Sequence, residues 1–146
     1  MEKKPATILV KDIHLLHVEV VQQKLDLIAF KKNKQHQLNV GHKLMHDLKN
    51  ERIKFEFMFS FDNSNKESLL LFQIDFHFQI NRLFEYYETG GDKKPLFSDH
   101  LIAALIGICF STARGIILEK LNNAGIPQVI LPVVSPQDLL ATTRPG

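Results

Sequence analysis

One cysteine in 146 residues, Cys109, excludes an intrachain disulfide and suits a reducing cytoplasm, where the protein is expected to act. It lies inside an apolar run and reads as a small buried hydrophobe, not a reactive thiol. An excess of charge of one sign is missing too. The 18 basic and 16 acidic residues leave a net charge of +2, and the basic residues are scattered, so no nucleic-acid partner is expected. There is no internal repeat and no low-complexity segment. With 45% hydrophobic and 23% charged residues, residues 1–146 read as a single globular domain. The opening Met1-Glu2-Lys3-Lys4-Pro5-Ala6 is polar and carries no signal-peptide pattern.

Signatures of catalysis are lacking as well. No serine stands in a glycine-flanked elbow, and Gly90-Gly91 is not followed by the lysine and hydroxyl residue of a phosphate cradle. Asp12, Glu19, Glu56 and Asp75 fall on strand patterns that do not pair them across a pocket. Neither an enzyme nor a cofactor is expected. The seven histidines invite a metal reading that spacing argues against. His42 and His46 share a strand face but lie about 13 Å apart at ~3.3 Å per residue. His14 and His17, three apart, fall on opposite faces under strict alternation.

Alternating hydrophobicity is abundant. A strand is predicted over residues 8–20, with a phase change near Lys11-Asp12-Ile13 of the kind a bulge produces. Residues 21–36 form a connector carrying Leu25, Leu27, Ile28 and Phe30, too apolar for a solvated loop. Strands follow over 37–47 and 52–61, the second placing Ile53, Phe55, Phe57, Phe59 and Phe61 on one face. Turn residues 62–67 lead to a return strand that puts Leu70, Phe72, Ile74, Phe76, Phe78 and Ile80 on the same side. One face of the sheet is therefore apolar and the other polar.

A helix over residues 98–123 is the only element able to cover that face. Its run from 101 to 110 is apolar all round, Ser98 supplies the start, and Gly125 lies just past the end. The serine, threonine and arginine at 111, 112 and 114 argue against a membrane span. A helix apolar on every side needs more cover than one sheet offers. A homo-oligomer is expected, with Leu101, Leu105 and Ile108 at its interface, and Arg114 is expected to satisfy carbonyls or a carboxylate there.

The remaining pattern resembles a known family. Ala113-Arg114 is followed after twelve residues by Pro127-Gln128, then by Leu131-Pro132-Val133, with Asp138 and Leu140 beyond; Lys11-Asp12-Ile13 stands near the start. In this order the motifs resemble the SecB protein-export chaperones. The resemblance implies an α+β fold, a four-stranded antiparallel sheet packed against one long helix, with a short second helix at the C-terminus. It also implies dimers through the sheet edge, tetramers through the helices, and an ATP-independent holdase that keeps unfolded precursor proteins soluble in apolar grooves. Ile126, Pro127, Gln128, Val133 and Leu140 would line such a groove, and the apolar connector adds Leu25, Leu27, Ile28 and Phe30. Asp12 would be a docking residue for the motor ATPase SecA, as a further partner.

There are departures from the family pattern. The pI of about 8.7 is basic where the family is acidic, Leu16 and Gln73 stand at positions where the family tends to carry carboxylates, and the second helix is cut short. A relative dedicated to one client, such as an antitoxin, and uncoupled from SecA is the alternative expectation.

Overall fold

The computed structural model describes residues 8–32 and 36–126 and has the α+β architecture. A 3-10 turn over Val10–Asp12 precedes β1 (Ile13–Leu25), then come α1 (Leu27–Lys32), β2 (Gln37–Asp47), β3 (Arg52–Asp62) and β4 (Ser68–Ile80). A second 3-10 turn, Leu83–Tyr86, leads into a small hairpin of β5 (Tyr87–Thr89) and β6 (Pro95–Phe97), and then into α2 (Asp99–Asn123). The large sheet is antiparallel throughout with order β1-β4-β3-β2, so among the described residues β1 and β2 are its free edges. The expected C-terminal second helix and the expected groove residues Pro127, Gln128, Val133 and Leu140 fall outside the described residues.

β3 and β4 form as their period of two dictates. Phe55, Phe57, Phe72, Ile74, Phe76 and Ile80 are wholly buried on one face. The turn at 48–51 brings Glu51 into the left-handed region at φ 57°. The 62–67 connection is closed by Asn63, whose side-chain oxygen accepts from the Asn65 and Glu67 amides. Each fully buried apolar side chain stabilises the fold by about 1.5–3 kcal/mol before entropy is counted.

α2 lies on this face, with the Phe110 ring 6.0 Å from that of Phe59. Its start is set by Ser98, whose hydroxyl accepts from the Leu101 amide. Its end is a Schellman turn. Gly125 at φ 82° donates to Asn122, Ile126 donates to Leu121, and the Ile126 and Leu121 side chains are both buried at that end. By length and composition α2 could also cross a membrane, with a mean hydropathy of 2.1 over 18 residues. Here nine of its residues are buried in the core.

Those nine include Leu101 and Leu105, neither of which retains any exposure. This corrects the expectation that both face another subunit: they point at the sheet and serve the core of their own chain. The uncovered side of α2 carries partly exposed Ala104, Gly107 and Ile108 and exposed Ser111 and Gly115, and Arg114 is half-buried. Cys109 is buried, and burial pushes its thiol pKa up, well away from a reactive thiolate.

β1 departs most from simple alternation. The expected phase change near Lys11 is a 3-10 turn, and the strand runs from Ile13 to Leu25, not from 8 to 20. Two register shifts interrupt its ladder with β4, one between Leu15 and His17 and one between Val20 and Gln22. Leu16 and Val21 are thus extra residues without partners in the register.

Candidate functional site

Eight large apolar side chains are exposed among the described residues, and five of them (Val10, Leu15, Leu16, Val21 and Ile28) lie between residues 10 and 28. Leu16 and Val21, at 46% and 42% exposure, are the two bulged residues of β1. The bulges explain why apolar side chains stand in solvent there: an unpaired residue leaves the alternation that would have turned it inward or given it a neighbour. This apolar line follows the free edge of β1, whose backbone is unpaired on one side within the sheet.

At the end of that edge α1 sorts the four connector residues. Ile28 is 71% exposed, and Leu25 and Leu27 are partly buried against the core. Phe30 is buried, stacked on His36 at 3.9 Å and edge-on to Phe61 at 6.1 Å. Ile126 is buried in the same core cluster. Phe30 and Ile126, expected in a client groove, are therefore corrected to core residues of their own chain. Neither offers free surface.

Asp12 needs the same correction. It is 5% exposed, and its Oδ2 accepts from Arg82 Nη2 and from the Tyr86 hydroxyl, both at 2.9 Å. Its backbone carbonyl accepts from the Asn81 amide at 2.8 Å. A carboxylate so committed ties the N-terminal turn to the β4–α2 connection and is not presented to a docking partner. Arg82 holds φ 58° to reach it, and Glu51 accepts from the Leu83 amide at 3.1 Å beside it. The Arg82 hydrogen bond holds the Asp12 carboxyl below its ordinary pKa against the opposing effect of burial, and Tyr86 assists.

A group with a depressed folded-state pKa stabilises above its unfolded value and loses that contribution as pH falls through the folded one. The urea midpoint should accordingly drop as pH falls from about 5 toward 2. Asp12→Asn should flatten that part of the profile; an unchanged acid limb would mean that this corner contributes nothing to acid sensitivity.

The other face of the sheet is polar, and cross-strand register arranges it in rows. Lys43, Glu56, Asp75 and Glu19 lie opposite one another across β2, β3, β4 and β1. The next row holds Lys54, His77 and His17. Lys54 Nζ reaches Glu56 Oε1 at 3.3 Å and Asp75 Oδ2 at 3.4 Å, and these contacts, Glu56 first, raise its pKa. A shallow notch of about 210 Å³ opens beside Gly41, Lys43, Glu56, Met58 and Gln73, where glycine leaves the row without a side chain. Alternation alone puts His14 and His17 on opposite faces. The bulge at Leu16 puts both on the polar face, opposite Gln79 and His77. No run of sequence marks that bulge, because both residues flanking Leu16 are ordinary strand formers.

The solved structures of related shape include a SecB-like chaperone from Mycobacterium tuberculosis in complex with a ChAD peptide from the HigA1 antitoxin. It has a TM-score of 0.48 and 9% identity, and covers 86% of this chain and 92% of that one. No protein-family model and no curated protein matches the sequence.

Proposed function

We propose that the protein is an ATP-independent holdase that binds non-native polypeptide along the β1 edge and α1. The observation carrying this reading is the line of exposed apolar side chains from Val10 to Ile28 beside unpaired strand backbone. An extended chain can add to such an edge through its own amides and carbonyls while its apolar side chains meet Leu16, Val21 and Ile28. The two bulges cut the edge into short regular stretches. Each stretch offers few ladder bonds, so binding is weak, reversible and tolerant of sequence, as holding many clients requires. The motif order from Ala113-Arg114 to Leu140 supports the same reading, in the manner of SecB.

Action in the cytoplasm and assembly as a dimer of dimers are part of the proposal. The uncovered side of α2 around Ile108 and Ser111 is the surface offered to a second subunit. The internal commitment of Asp12 and the basic overall charge count against docking on SecA, so we propose a holdase of many clients uncoupled from SecA, with a module dedicated to one client, such as an antitoxin, as the alternative.

In an aggregation assay with an unrelated unfolded protein and no ATP, the chain should suppress scattering at stoichiometric ratio. The triple replacement Leu16→Glu, Val21→Glu, Ile28→Glu should retain the fold, because all three side chains are exposed, and lose most of the protection. Protection by neither the parent nor any co-expressed client complex would sink the holdase reading. Protection confined to one client would select the dedicated form.

A further inference from the structure

The first β1 bulge does more than expose Leu16. It brings His17 directly opposite His77 on the polar face, with ring centroids 5.6 Å apart and planes tilted by 45°. Two residues on, Glu19 lies opposite Asp75. Two imidazoles and two carboxylates thus occupy the corners of a small rectangle on adjacent strands. Its short side is a cross-strand pair, about 4.5–5.5 Å between Cβ atoms, and its long side is two strand residues, about 6.6 Å. His17 Nε2 already lies 3.7 Å from Glu19 Oε2. That is close to the spacing of two donors sharing one tetrahedral ion at about 2.0–2.1 Å each.

A second observation points the same way. Asp75 is only 6% exposed, and its Oδ1 is buried with no hydrogen-bond partner. Orphaned buried carboxylate oxygens are rare and call for a cause, an ion among them. Register also places Asp75 between two further carboxylates, Glu56 and Glu19. Like charges directly opposite one another on a sheet destabilise it. Lys54 answers on the β3 side, at 3.4 Å from Asp75 Oδ2. Among the described residues the β1 side of that row carries no such ammonium, and Glu19 lies beside the imidazole of His17.

We propose that His17, His77 and Glu19 bind one transition-metal dication of the zinc class on the polar face, with Asp75 supplying the fourth ligand or supporting the other three. Imidazole with carboxylate is the donor set such ions take, whereas magnesium and calcium select oxygen alone. In the resident rotamers no three ligand-type side chains among the described residues converge on one point. Closing the site takes rotation of side chains that are free to turn, since those of His17 and Glu19 are 60% and 56% exposed. Lys54 keeps the ion to the β1 side of Asp75. The site shares no residue with the client-binding line proposed above, although both lie on β1.

Titrating zinc chloride into the untagged full chain at pH 7.5, read by calorimetry, should show one saturable site per chain. His17→Ala and His77→Ala should each weaken it at least tenfold. Asp75→Asn should weaken it about 10–100-fold, as loss of a supporting carboxylate does. His46→Ala, on β2 and facing the opposite side, should leave it unchanged. Cobalt chloride in place of zinc should give a visible spectrum that His17→Ala removes. His17 is exposed, so its variant keeps the fold even if that of His77 does not. Absence of saturable binding, or binding that both histidine variants retain, would overturn the proposal.

Discussion

Leu105→Asp is expected to leave the chain unfolded, whereas Ser111→Asp, six residues further along the same helix, is expected to leave it folded. Leu105 has no exposed surface and belongs to the single apolar cluster formed by α2 and the inner face of the sheet. Truncating such a leucine to alanine costs about 2–5 kcal/mol. The aspartate adds the penalty of a buried carboxylate without a partner, several kcal/mol more unless it protonates. Together these rival the roughly 5–15 kcal/mol that separates folded from unfolded states in domains of this kind. Ser111 is exposed, so a carboxylate there stays hydrated.

Circular dichroism and light scattering on the two variants separate core from interface. If Leu105→Asp remained folded and only lost mass, Leu105 would be an intersubunit residue after all. Should Ser111→Asp fold and lose mass, the uncovered face of α2 is where subunits meet.

The misassignment of Leu101 and Leu105 shows what a sequence pattern can carry. Period two on β3 and β4 names the inward residues from Ile53 to Phe61 and from Leu70 to Ile80, because each strand keeps one wet face. Leu69, buried where the β3–β4 register shifts, and Asp75, buried on the polar face, depart from it. On α2 there is no polar side to orient the helix: its run from 101 to 110 is apolar at every position, so periodicity gives burial without direction. Direction came only from the phenylalanines it packs on.

β1 fails for another reason. Its bulges at Leu16 and Val21 shift the phase twice, so alternation is locally true and globally misleading. The six-residue α1 is too short for a helical period to show, and the connector's apolarity was legible without its conformation. Asp12 looked available because Arg82 and Tyr86, its partners, lie 70 and 74 residues away in the chain. Side-chain partners at that separation leave no local mark.

Phe57→Ala should produce the largest loss among single core truncations on β3, about 3–5 kcal/mol. Phe57 is wholly buried, and its ring meets four others: Phe55 at 5.9 Å, Phe59 at 5.8 Å, Phe76 edge-on at 5.8 Å and His42 at 5.2 Å. Removal deletes the transfer term of a large apolar side chain and leaves a cavity that flanking strands cannot close, because hydrogen-bonded partners on both sides fix the backbone of β3. Ring pairing adds about 0.5–1.5 kcal/mol per contact beyond area. Phe57→Leu keeps most of the volume and loses the ring geometry, so its cost should fall below that of alanine. Phe84, 64% exposed on the connection to α2, supplies the contrast: Phe84→Ala should lie within about 0.5 kcal/mol of the parent.

Urea unfolding with a common slope measures all three. Equal midpoints for Phe57→Ala and Phe84→Ala would mean that the aromatic stripe is not the structural core. If Phe57→Ala instead lowered the slope along with the midpoint, the sheet would have loosened before it unfolded. The apolar layer would then be held by packing against α2 more than by the strand ladder.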